Sequence, residues 1–179
     1  IDHLIHGEPL PPLCLPSEIQ ACLDKSCTSL RGYQKEGVSW LHFLQSVNLN
    51  GALCDDMGVG KSLQALIGIA LAHCNSVASV DGVKSLVVCP STVTGHWMNE
   101  VKKYFPEKQM FKPLMYTGTA KSRNAMLQEQ LKECNLVVTS YSVLRNDIDT
   151  LSSFSWVYCV LDEGHLLKNP RSATAKASR

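Results

Sequence analysis

Apolar positions along the chain change period from block to block, and each change marks an element. Pro9, Pro11, Pro12 and Pro16 interrupt residues 1–29, which predicts a proline-rich extended connector from a preceding domain, with one helical turn near Ser17–Leu23. From Leu30 the spacing turns helical, with Tyr33, Gly37, Trp40, Leu41, Leu44 and Val47 predicted on one face. The short run Gly51–Cys54 predicts a buried strand, and Leu63–Ala72, apolar all round, predicts a buried helix. Residues 75–84 are small and polar around Asp81-Gly82 and predict an exposed loop. Ser85–Cys89 is continuously apolar and ends at Pro90, the pattern of a strand covered on both faces. Val93, Trp97, Val101, Tyr104 and Phe105 then form a helical stripe stopped by Pro106. The remaining blocks predict a strand at Lys112–Tyr116, a helix at Thr119–Lys132 with Ala120, Leu127 and Leu131 inward, a strand at Leu136–Thr139, a helix from Ser140 and a strand at Trp156–Leu161.

Alternating strands and helices predict an α/β fold: three layers, a mainly parallel, doubly wound sheet with helices on both faces, and functional loops at the carboxyl ends of the strands. Four segments fall at that edge: Asp55–Ser62, Pro90–Thr92, Thr139–Tyr141 and Asp162–His165. Composition changes this picture little. With 179 residues, 45% hydrophobic and 18% charged, the chain is about one globular domain. A net charge of +1 gives no whole-chain field, so a nucleic-acid surface has to be a local patch. The eight cysteines include no C-x-x-C pair and several lie in apolar runs, as expected of core thiols in a reducing, intracellular compartment. No apolar run approaches the roughly 18 residues of a membrane span. The chain opens on Ile1 and stops in the helix-like run Ala173–Arg179, as expected of a piece of something longer.

The chemistry sits at the sheet edge. In Asp55–Ser62, Gly58 and Gly60 permit positive φ, so that successive N–H groups converge on a phosphate at a helix start. Lys61 is placed to meet the β and γ phosphates and Ser62 to ligate Mg²⁺. Asp55 stands where such loops usually carry their first glycine, and the alternative is a glycine-containing turn with a surface lysine. Gln34, just inside the first turn of its helix, suits either solvent or the donor–acceptor edge of adenine. Ser91 and Thr92 open a helix and serve either as caps or as a seat for a nucleic-acid phosphate. Asp162 and Glu163, directly after an apolar strand, are costly to desolvate without a cation. About 100 residues after the phosphate loop on the same edge, they read as a Mg²⁺ ligand (Asp162) and a base that polarises water (Glu163).

Leu30-Arg31-x-Tyr33-Gln34-x-x-Gly37-Val38-x-Trp40-Leu41, Asp56-Met57-Gly58-x-Gly60-Lys61-Ser62, Val88-Cys89-Pro90-Ser91 with Trp97, Thr139-Ser140-Tyr141 and Asp162-Glu163-x-His165-x-x-Lys168-Asn169 resemble the successive helicase motifs of the Swi/Snf ATPases. Cys54-Asp55-Asp56-Met57, Thr92–Trp97, Arg145–Asp149 and Gly164 resemble the branch that strips TATA-binding protein from promoters. Val59 and Ser62 depart from the more frequent Leu and Thr without changing the chemistry. The resemblance implies a nuclear, RecA-like ATP-binding lobe over residues 30–179, C-terminally incomplete, of a motor that tracks along double-stranded DNA without separating its strands. It implies ATP and Mg²⁺ as cofactors. Gln34, Asp56, Met57, Gly58, Val59, Gly60, Lys61 and Ser62 would hold the nucleotide, Ser62 and Asp162 the metal, and Lys61, Asp162, Glu163 and His165 the catalysis. Pro90, Ser91, Thr92, Thr139 and Ser140 would line the DNA path. A second RecA-like lobe of the same chain would complete the site, so residues 1–179 alone are expected to turn over little ATP. The competing readings are a general chromatin remodeller, a non-hydrolysing nucleotide-gated scaffold and a small-molecule kinase. Intact Lys61, Asp162 and Glu163 weigh against the scaffold, and the upstream Gln34 together with the downstream Asp162–His165 does not suit the kinase.

Overall fold

The computed structural model describes residues 10, 12–76, 82–107 and 109–178, the side chains of Leu127 and Gln128 excepted. The elements in chain order are α1 (Ser17–Lys25), α2 (Gly32–Ser46), α3 (Lys61–Asn75), β1 (Lys84–Cys89), a 3₁₀ turn (Ser91–Val93) leading into α4 (Thr94–Tyr104), β2 (Pro113–Tyr116), α5 (Ala120–Glu129), β3 (Leu136–Ser140), α6 (Tyr141–Asn146), α7 (Ile148–Leu151), β4 (Trp156–Leu161), a 3₁₀ turn (Gly164–Leu167) and α8 (Ala173–Ala177). The strands form one sheet in the order β2-β3-β1-β4. Every pairing among the described residues is parallel, with Val87 opposite Val138 on one side and Val160 on the other.

The two central strands explain the two-sided core. β1 and β3 are buried along their whole length, and successive side chains of a strand point to opposite faces. Val87, Cys89, Leu136 and Val138 therefore enter one core with Ile19 and Leu23 of α1, Leu66 and Ile69 of α3, and Trp97 and Val101 of α4. Leu86, Val88 and Val137 enter the other with Tyr116, Tyr141, Leu144 and Leu151. This is the predicted three-layer α/β arrangement. Each fully buried Leu or Ile contributes about 1.5–3 kcal/mol of transfer free energy, and α3 alone buries ten consecutive residues, Leu63–Ala72.

Several expectations need correction. Gly51–Cys54 forms no strand: it pairs with none of the four strands and is mostly exposed, lying beside α2, where a Cβ on Gly51 would sit 2.7 Å from Leu44 and 2.8 Å from Trp40. The inward face of α2 is Gln34, Val38, Leu41 and Leu44, with Tyr33 40% exposed. The single turn near Ser17 is a nine-residue helix whose Ile19, Cys22 and Leu23 join the first core. β4 packs less completely: Tyr158 and Val160 meet the first core and Trp156 the second, while Val157 and Leu161 are exposed. Of the exposed loop predicted for residues 75–84, Asn75 instead ends α3 and Lys84, 3% exposed, opens β1, while residues 77–81 and the side chain of Leu127 lie outside the described residues.

Because the sheet is parallel, all four carboxyl ends share one edge, and α3 can be oriented against it. His73, near the end of α3, meets the Ser85 hydroxyl at the start of β1 across 2.8 Å, while a Cβ on Gly68 would touch the Tyr158 hydroxyl of β4 at 3.3 Å. The helix therefore runs against the strands, with Lys61 at their carboxyl edge. From the Gly68–Tyr158 crossing, seven helical residues rise about 10 Å to Lys61. Four strand residues rise about 13 Å to Asp162. The phosphate loop and the acidic turn thus lie at the same edge of the sheet.

Candidate active site

The loop Asp55–Ser62 takes its shape from its glycines. Gly58 and Gly60 both have φ +84°, and Gly60 is the residue from which α3 starts. A side chain at Gly60 would meet Gln34 Nε2 at 2.6 Å, so glycine is required there twice over, for conformation and for space. The Gln34 amide explains the crowding: its Nε2 donates to the Val59 carbonyl at 3.0 Å and its Oε1 accepts from the Arg31 N–H at 3.0 Å, closing the start of α2. Gln34 is 8% exposed, so the sequence correctly marks it as special, but much of its bonding capacity holds the loop to α2. Lys61 Nζ donates to the carbonyls of Asp55 and Asp56, both at 2.8 Å. These neutral acceptors are weaker than a phosphate oxygen, and the ammonium curls into the concavity that its own loop makes.

The turn after β4 is held differently. The Asp162 N–H continues the ladder by donating to the Val88 carbonyl at 2.8 Å. Its carboxylate accepts from Trp97 Nε1–H at 2.8 Å through Oδ2 and from the Glu163 N–H at 2.9 Å through Oδ1. The Tyr141 hydroxyl donates to the Asp162 carbonyl at 2.7 Å. Burial, then the nearby Asp162 carboxylate, pushes the Tyr141 phenol up to about 12, so it stays a donor at neutral pH. Glu163 is one of three non-glycine residues with positive φ among those described, at +55°, a conformation costing about 1–2 kcal/mol. Its carboxylate faces His165 Nδ1 at 3.1 Å.

The donor set fits Mg²⁺ with a nucleotide triphosphate. Magnesium takes one or two protein ligands and fills its octahedron with water and phosphate oxygens. Among the described residues no group of three or more His, Cys, Asp or Glu gathers into an all-protein metal cage. Asp162 and Ser62 are the residues that would hold the ion, and the backbone of Gly58–Lys61 would hold the phosphates.

The residues assigned to nucleic acid divide into two groups. Ser91 and Thr92 are exposed and Pro90 half-buried at the end of β1. Neither Ser91 nor Thr92 caps a helix through its side chain; Thr94 instead bonds back to the Ser91 carbonyl at 3.0 Å. Thr139 and Ser140, by contrast, are buried. The Thr139 hydroxyl donates to the Tyr116 carbonyl at 2.7 Å, and the Ser140 hydroxyl accepts from the Val143 N–H at 3.3 Å as the cap of α6. Their side chains support the rim from within. A further group escaped the sequence reading: Arg123 Nε and Nη2 donate to the two carboxylate oxygens of Asp147 at 2.6 and 2.8 Å, and the Tyr116 hydroxyl joins at 2.7 Å. The Arg123 guanidinium, ahead of the Tyr116 hydroxyl, holds the Asp147 carboxyl below its ordinary range.

The SNF2-related domain matches residues 33–179. TATA-binding protein-associated factor 172 of Homo sapiens is 43% identical over 185 aligned positions, covering 99% of this chain and 10% of that protein. TATA-binding protein-associated factor MOT1 of Saccharomyces cerevisiae is 40% identical, again over 99% of this chain and 9% of its own length. An ISWI chromatin-remodeling complex ATPase of Arabidopsis thaliana is 34% identical over 84% of this chain and 14% of that protein. Among solved structures, the Sulfolobus solfataricus SWI2/SNF2 ATPase core in complex with double-stranded DNA superposes with a TM-score of 0.71 at 31% identity, covering 84% of this chain and 29% of that one. The chain thus spans about a tenth of the length of the curated relatives.

Proposed function

The chain belongs to the SNF2-related domain family, an ATPase family, and from that premise we propose that it is the ATP-binding motor lobe of a double-stranded-DNA translocase that displaces TATA-binding protein from promoters in the nucleus. The observation that carries the ATPase part is that Lys61 and Asp162 both lie at the carboxyl edge of one parallel sheet. The promoter part is supported by identities of 40–45% to TATA-binding protein-associated factors against 34% to the ISWI ATPase, which makes a general remodeller the second reading.

In this reading Gly58, Gly60 and Lys61 seat the phosphates, and Gln34 couples the loop to the edge of the base. Mg²⁺, when bound, neutralises charge developing on the transferred phosphoryl group. Glu163 takes the proton of the attacking water, and His165, 3.1 Å from its carboxylate, sets its direction. Pro90, Ser91 and Thr92 form a DNA seat through the exposed hydroxyls of Ser91 and Thr92. A second RecA-like lobe supplies the arginines that complete catalysis, worth about 10³–10⁵ in related phosphoryl transfers. The test is ATP-dependent release of TATA-binding protein from a TATA-containing duplex by the full-length protein. Release that stops in Glu163→Gln is expected. Nucleosome sliding without release of TATA-binding protein would move the assignment to the remodellers.

A further inference from the structure

Two of the hydrogen bonds on Asp162 come from aromatic side chains whose elements begin at the strand ends beside the metal site. Trp97 lies on α4, which follows the rim residues Pro90–Thr92 directly. Tyr141 is the first residue of α6 and follows Thr139 and Ser140. One donates to the Asp162 carboxylate and the other to its backbone carbonyl, at 2.8 and 2.7 Å. Trp97 is 2% exposed and Tyr141 7% exposed, so neither side chain can swing without repacking a core, while Asp162 itself is half-buried at the edge. An indole has a single N–H to give, and at this position it gives it to the acidic residue of the turn. A carboxylate held by fixed donors presents its remaining lone pairs in one direction, as second-layer donors do at metal sites generally.

We propose that Trp97 and Tyr141 are positioning residues for Asp162, and that through them the segments Pro90–Thr94 and Thr139–Tyr141 set the affinity of the site for magnesium-bound nucleotide. The proposal rests on the motor reading for what binds the rim, namely a DNA duplex. A duplex seated on Ser91 and Thr92 bears on the start of α4, and within two turns that helix grips Asp162. Coupling of this kind is reciprocal, so a duplex that raises nucleotide affinity must itself bind more tightly when Mg²⁺ and ATP are present.

The experiment uses the full-length protein with Trp97→Phe, which keeps an aromatic ring in the core, and Tyr141→Phe, which removes one oxygen. Binding of a fluorescent ATP analogue is titrated in EDTA and in Mg²⁺, each with and without a DNA duplex, and thermal melting is followed in parallel. Both variants are expected to bind the analogue in EDTA as wild type does. Affinity in Mg²⁺ should fall about tenfold in Trp97→Phe, and the ratio of affinities with and without duplex should move toward one in both variants. Loss of affinity in EDTA and Mg²⁺ alike, together with a lowered melting temperature, would mean that Trp97 serves packing alone and would overturn the proposal. A duplex effect that survives both substitutions would overturn the coupling while leaving the motor reading standing. No duplex effect in the wild-type protein would overturn both.

Discussion

The phosphate loop and the Asp162–His165 turn share one edge of the sheet, and Gln34 ties the loop to α2, yet the side chains that carry the chemistry are held differently: Lys61 by its own loop, Asp162 from far along the chain. Lys61 bonds to carbonyls five and six residues before it, and Met57 at the tip is 91% exposed. Asp162 is fixed by partners 65 and 21 residues away in sequence, each deep in a core. In the proposed site the loop would wrap the nucleotide with its backbone and adapt to it. A carboxylate presenting lone pairs to a metal would need one fixed geometry, and that of Asp162 is supplied by packed neighbours.

The largest expected effect separates the two halves by function. Glu163→Gln in the full-length protein should lower kcat by about 10²–10⁴ while ATP affinity changes by less than about twofold, as measured by steady-state hydrolysis and nucleotide titration. An unchanged rate would remove Glu163 from the chemistry and favour the nucleotide-gated scaffold. The next effect is on stability and lies on the braced side. Arg123 and Asp147 hold the far end of α6, whose first residue is Tyr141. Asp147→Asn should cost about 3 kcal/mol in denaturant unfolding, because it leaves a buried guanidinium without its counter-charge. The folded carboxyl lies below its ordinary value through Arg123 and then Tyr116. Its contribution is therefore present above the unfolded carboxylate value of about 3.9 and disappears as pH falls through the folded one. Acid unfolding that is the same in wild type and Asp147→Asn would contradict this.

What could be read in the sequence follows the same division. The loop was legible because Gly58, Gly60, Lys61 and Ser62 are neighbours and their chemistry is local. The strands were legible where they are apolar on both faces, as in Ser85–Cys89 and Leu136–Thr139. Gly51–Cys54 is ambiguous in sequence because four apolar or small residues fit either a strand or a segment lying on a helix, and the contact of Gly51 with Trp40 and Leu44 shows the second. Trp97 stood out as part of an apolar stripe, but nothing local says which way its N–H points. A buried tryptophan needs an acceptor, and that requirement was the available clue. Arg123 and Asp147, 24 residues apart, are two ordinary charged positions until the fold brings them together.

Smaller effects sharpen the loop side. Gly60→Ala should cost about 2 kcal/mol and weaken ATP binding, since the methyl combines positive φ with a 2.6 Å approach to Gln34. Gly58→Ala, with nothing within 4 Å, should carry the conformational cost alone, about 1 kcal/mol. Equal losses in a paired melting and nucleotide titration would show that Gln34 yields freely and does not support the loop. Away from the site, burial lowers His73 to about 4 from 6.5. A neutral form favoured by folding gives stability that is full above pH 6.5 and falls as pH drops from 6.5 toward 4, by about 3 kcal/mol. Unfolding free energy measured across that window should lose this slope in His73→Gln, with ATP affinity at neutral pH unchanged.

The central claim, that loop and turn form one DNA-responsive ATPase site, is tested most directly by the ATP hydrolysis rate of the full-length protein with and without double-stranded DNA, measured for wild type, Lys61→Ala and Glu163→Gln. We predict a wild-type rate that rises with duplex, Lys61→Ala inactive through lost nucleotide binding, and Glu163→Gln inactive with nucleotide still bound. Equal rates in all three proteins, indifferent to DNA, would contradict it.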